Sequence, residues 1–95
     1  VSPEQRAESQ RLINRADSIL RNTNDIAAAR LFLERAAGTG DGQAFFRLAE
    51  TYDPDWLAQQ RARGVSGDLP RARALYQRAA DLGVPAARIR LGTLR

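Results

Sequence analysis

The chain repeats itself, and that repetition restricts its fold more than any other feature. Sliding residues 25–49 by 43 positions lays Asp25 on Asp68, Ala29 on Ala72 and Arg30 on Arg73. Arg35-Ala36-Ala37 falls on Arg78-Ala79-Ala80, Gly40 on Gly83, Ala44 on Ala87 and Arg47-Leu48 on Arg90-Leu91, ten identities in 25 positions. Phe32/Leu75 and Ile26/Leu69 match in character. A period of roughly 20–50 residues marks folds whose units cannot bury their apolar faces alone and stack to do so. Paired alanines at a helix end let two helices approach closely, and the following glycine permits a tight reversal. Ala44 and Ala87 then sit one turn into the returning helix, where backbones must again come near.

Between these landmarks every segment reads as helix. Ser2-Pro3-Glu4-Gln5 is a helix start, with Ser2 as cap, Pro3 at the first position and Gln5 at the capping-box position. Leu12, Ile13, Ala16, Ile19 and Leu20 recur at spacings of three and four. Asp17 and Arg21 are placed to pair along the helix, and Asn22-Thr23-Asn24 ends it. Asn24 or Asp25 caps a second helix to about Ala37, burying Ala29, Phe32, Leu33, Ala36 and Ala37. A third runs from about Gly42 to Tyr52. Asp53-Pro54-Asp55 restarts a short helix carrying Trp56 and Leu57, which the spacing ends at Gly64. Asp68-Leu69-Pro70 opens a helix burying Ala72, Leu75, Tyr76, Ala79 and Ala80, and Val84-Pro85 opens the last, with no cap beyond Arg95. No stretch sustains the alternation of a strand. The expectation is all-α.

Composition removes several chemistries. The 95 residues contain no Cys, no His and no Lys, so all 15 cations are Arg. Thiolate ligation, imidazole base catalysis and lysine Schiff bases are therefore absent. There is no Gly-x-Ser-x-Gly, no phosphate loop and no metal-ligand pair. Gly40-Asp41-Gly42 reads as a turn, and Asp53 and Asp55 as cap and dipole partners. No enzyme activity, cofactor, metal site or small-molecule substrate is expected. The chain begins at Val1 and lacks Met, so it is expected to be a segment of a longer protein. Its Arg- and Ala-rich usage suggests a bacterial source.

Asp25-xxx-Ala29-xx-Phe32-xxx-Ala36-Ala37-xx-Gly40-xxx-Ala44-xxx-Leu48-Ala49-xx-Tyr52 resembles a Sel1-like repeat. Asp68-xxx-Ala72-xxx-Tyr76-xx-Ala79-Ala80-xx-Gly83-xxx-Ala87-xxx-Leu91-Gly92 resembles a second. The resemblance implies a short right-handed α-solenoid of tetratricopeptide-related helix pairs. Residues 1–23 would be a capping helix, 24–52 the first repeat, 53–67 an inserted helix and connector, and 68–95 the second repeat. The family period is about 36 residues; here it is 43, so about seven residues are inserted between Tyr52 and Gly64. Ala49 also stands where the family has glycine. The whole resembles the Sel1-like tail of larger, often membrane-anchored bacterial proteins, which favours a periplasmic setting.

The resemblance implies protein or peptide binding on the first helix of each pair, a face carrying Arg30, Glu34, Arg73 and Gln77. Arginine forks recognise carboxylates bidentately, so an acidic peptide is the expected partner; alternatively Arg30 and Glu34 are an ordinary surface pair. Trp56, the only Trp, lies in the insertion, as an interface anchor or folded back to seal the gap. If Ile89 and Leu94 are exposed, the last helix offers a homodimer contact. The alternative from another class is nucleic-acid binding, since residues 61–95 carry eight Arg and two acids. Arg71 and Arg73 point differently on a helix, so scattered charges weigh against it.

Overall fold

A computed structural model describes residues 1–94; Arg95, the end of the last repeat in the sequence reading, lies outside the described residues. Six helices follow in order: α1 (Pro3–Asn22), α2 (Ile26–Ala37), α3 (Gly42–Tyr52), α4 (Pro54–Gln59), α5 (Leu69–Asp81) and α6 (Pro85–Thr93). There is no strand among the described residues. The helix starts fall where small polar side chains can take up free amide groups. Ser2 Oγ accepts from the Gln5 amide while Gln5 Oε1 accepts from the Ser2 amide, a closed capping box. Asp25, Asp41, Asp53 and Asp68 each cap the helix that follows. Only α6 starts without a side-chain cap, at Val84.

α1 packs on α2, α2 on α3, α3 on α5 and α5 on α6, while α4 leans against α3. Two apolar clusters result. One joins Ile13, Ala16, Ala29, Leu33, Ala36, Ala44 and Leu48. The other joins Ala49, Ala72, Tyr76, Ala79, Val84 and Ala87. Phe45, Tyr52 and Leu75 touch both clusters and fuse them.

Positions 43 residues apart have matching environments. Ala29 and Ala72, Ala36 and Ala79, Ala37 and Ala80, Ala44 and Ala87 are all buried. Gly40 and Gly83 both take left-handed conformations, φ +92° and +88°, which reverse the chain after α2 and α5. The Asp25 and Asp68 carboxylates accept from amides three residues on, those of Ala28 and Arg71. Leu33 and Tyr76 occupy one position with different chemistry, and that difference matters below.

Two local expectations are corrected. α4 ends at Gln59, capped by Gln60, rather than at Gly64, because Arg61 turns left-handed at φ +54°. Asp17 pairs with Arg47 on α3, not with Arg21. The inserted stretch is a closed excursion. The Asp68 amide donates to the Tyr52 carbonyl at 2.8 Å, bringing its two ends together. Asn24 Nδ2 donates to the Gln60 carbonyl at 2.9 Å, holding the end of α4 to the α1–α2 turn. At Gly67 the chain crosses Pro54 so closely that a Cβ would stand 2.9 Å from the proline ring.

Candidate partner-binding groove

Asp53 and Arg90 form a polar hub, each with four side-chain hydrogen bonds to three residues, and Asp53 is its buried centre. It caps α4 by accepting from the Asp55 amide at 3.0 Å. The same carboxylate accepts from Tyr76 Oη at 2.8 Å and from Arg90 Nε and Nη2 at 2.8 and 3.0 Å. Arg90 Nη2 also reaches Asp55 at 3.0 Å, and Nη1 reaches Thr93 at 2.9 Å. One side chain thus ties together the start of α4, the middle of α5 and α6. Asp53 is 2% exposed and Tyr76 1%. Burial pushes the Asp53 carboxyl up, but the bonds from Arg90, Tyr76 and the Asp55 amide outweigh it and hold it below the ordinary value. Burial and the neighbouring Asp53 raise the Tyr76 phenol, and the bond to Asp53 chiefly raises the Arg90 guanidinium.

Beside this hub lies a cleft of about 410 Å³ lined by Phe46 and Glu50 of α3, Asp53, Asp55, Trp56, Ala58 and Gln59 of the α4 segment, Tyr76 and Arg90. A second, of about 470 Å³, extends from it between α1, α3 and α4, lined by Asp17, Leu20, Arg21, Phe46, Arg47, Glu50, Trp56 and Gln60. Phe46, Glu50 and Trp56 line both, so the two form one groove with an aromatic waist. Phe46 and Tyr76 pack tilted, with centroids 5.6 Å apart. Arg47 pairs with Asp17 and donates to Glu50 at 3.1 Å. Burial raises the Glu50 carboxyl against the opposing pull of Arg47.

The sequence-expected site residues lie elsewhere or are otherwise occupied. Arg30 is half-buried: its guanidinium sits 4.0 Å from the Tyr52 ring centroid and donates to the Thr51 and Ser66 carbonyls. Burial lowers its pKa. It binds the connector to the end of α3, so its fork is not open to a carboxylate. Glu34 is exposed and accepts from Tyr52 Oη at 3.3 Å; the pair of Arg30 and Glu34 meets through Tyr52. Arg73 and Gln77 are exposed on α5, and Gln77 donates to Asp81 at 2.9 Å. Trp56 is half-buried and lines the groove; it neither stands free nor fills the interior. Of the basic C-terminal residues, Arg71 stacks on Tyr52, Arg78 on Phe45, and Arg90 is held by Asp53 and Asp55. Ile89 is 71% exposed, whereas Leu94 is half-buried against the second cluster.

Phe46 and Glu50 have no place in the sequence reading of a site, and Tyr76 and Arg90 enter it only within the basic 61–95 segment of the nucleic-acid alternative. Two signals in the sequence bear on Arg90 and Tyr76, and none on Phe46 or Glu50. Arg47 and Arg90 coincide in the repeat, and a phenol falls at Tyr76 where the first repeat has Leu33, so one repeat carries a polar hook the other lacks. Comparison with protein-family models, with curated proteins and with solved structures finds no match.

Proposed function

We propose that this chain is a non-catalytic protein–protein interaction module. We read it as a short right-handed α-solenoid of two Sel1-like helix pairs within a larger bacterial protein. The matched burial across 43 residues and the paired reversals at Gly40 and Gly83 support that repeat reading. The observation that carries the binding role is the continuous groove. Its aromatic waist of Phe46 and Trp56 remains accessible from two adjoining clefts rather than closed by side chains. An accessible Trp on rigid helices is the kind of residue that dominates interface energetics. The occupied fork of Arg30 moves the reading from the α2–α5 face to the α1–α3–α4 groove.

Selection of peptides displayed on phage against the folded chain tests this. Binders are expected, and Trp56→Ala should weaken them by about tenfold or more. Binders indifferent to Trp56→Ala, or no binders together with tight, salt-sensitive binding to arbitrary DNA or RNA, would replace the reading.

A further inference from the structure

The cleft between α3, α4 and α5 has a chemistry of its own. Its charged lining is Glu50, Asp53, Asp55 and Arg90, three carboxylates against one guanidinium, in a chain whose net charge is +4. Arg90 is spent on Asp53 and Asp55, through three hydrogen bonds. Glu50 has only a share of Arg47, whose other nitrogens serve Asp17. Phe46 and Trp56, both half-buried, supply two aromatic walls to the same cleft, while Tyr76 backs it from the interior. Aromatic faces and an incompletely neutralised carboxylate are the two features that hold an organic cation. The ring quadrupole attracts the charge, and the methylene stem of a long basic side chain lies on apolar surface.

We propose, building on the groove as partner site, that this cleft receives an arginine or lysine side chain of the bound segment. Its charged head lies against Glu50 and its stem against Phe46 and Trp56. An acidic side chain there meets the rim carboxylate of Asp55, 78% exposed, and is turned away. The partner is therefore a peptide segment with a basic residue at its anchor position, rather than the acidic peptide that Arg30 and Arg73 suggested.

The test uses the intact chain and small probes. Trp56 is the only Trp, so its indole N–H gives one unambiguous NMR signal. N-acetyl-arginine amide and N-acetyl-lysine amide should shift that signal saturably. N-acetyl-citrulline amide, the same shape without charge, should bind about tenfold more weakly, and N-acetyl-glutamate amide should leave the signal unmoved. Glu50→Gln, with unchanged circular dichroism, should weaken the arginine probe about tenfold. The citrulline comparison needs no variant and stands if Glu50→Gln misfolds. Equal binding of arginine and citrulline probes, an unmoved indole signal, or full affinity in Glu50→Gln overturns the proposal. Displayed peptides that depend on Trp56 but lack Arg and Lys overturn the cation while leaving the partner groove intact. Peptides indifferent to Trp56 overturn the groove itself.

Discussion

Arg47 and Arg90 stand 43 residues apart, and each reaches from its own helix to a carboxylate earlier in the chain. Arg47 on α3 binds Asp17 on α1; Arg90 on α6 binds Asp53 at the head of α4. Each also touches the side chain three residues on, Glu50 and Thr93, which are again 43 apart. These two arginines form polar rungs between helices. The rungs differ in depth. Asp53 is sealed in, while Asp17 keeps contact with water.

That difference sets unequal costs. Arg90→Ala leaves Asp53 buried with its charge answered only by Tyr76 and one amide, and should cost about 3 kcal/mol. Arg47→Ala opens a partly solvated pair and should cost about 1 kcal/mol. Urea denaturation of both variants measures the two; equal losses would contradict the account.

Acid should unfold the chain through Asp53. Its folded pKa lies below the unfolded one, so its contribution is complete above the ordinary carboxylate value near pH ~4 and disappears as pH falls through the folded value. Glu50 acts in the opposite sense, since burial raises its pKa and protonation relieves the folded state. Asp53→Asn should therefore lower stability at neutral pH and flatten the acid limb. Urea midpoints followed by circular dichroism between about pH 2.5 and 7 show whether the slope changes.

The helix corners tolerate nothing larger than alanine. Ala36 and Ala79 are wholly buried at equivalent places. Leucine at either should cost about 2 kcal/mol or more by overpacking. Leucine at exposed Ala7 on α1 should stay within about 0.5 kcal/mol. Thermal or urea unfolding distinguishes them.

Arg30 should prove structural. Arg30→Ala removes the bond to the Ser66 carbonyl and the stack on Tyr52. Hydrogen exchange should quicken at the Asp68 amide, whose acceptor is Tyr52, while the Ala36 and Ala79 amides stay protected.

Self-association through α6 predicts a sedimentation coefficient that rises with concentration and is returned to monomer by Ile89→Asp. A single monomeric species at high concentration removes that expectation.

Helix positions were legible because four of the six starts carry their own local cap, Ser2, Asp25, Asp53 and Asp68, which needs no distant partner, and the last carries Pro85 at its first position. The buried alanines were legible because the repeat presents them twice. The groove was not. Asp53 reads as a cap from its neighbours alone, and its other partners lie 23 and 37 residues away. Arg30 reads as a surface fork until the connector at Ser66 is folded over it. The end of α4 is not legible because the chain first turns left-handed at Arg61, three residues before the left-handed Gly64, next to the Asn24 tether.

The bond between Asp68 and Tyr52 has a consequence for how such a chain can vary. Since residues 53–67 leave and re-enter at almost one point, the excursion is a pendant that Asp53, Gln60 and Ser66 pin to the stem, and the number of residues between these pins can change without moving the stem's own ends. Closure cost grows only slowly with length. Shortening or lengthening the pendant changes the wall opposite Phe46 while α3 and α5 stay in register, so new surfaces can be tried there without rebuilding the body.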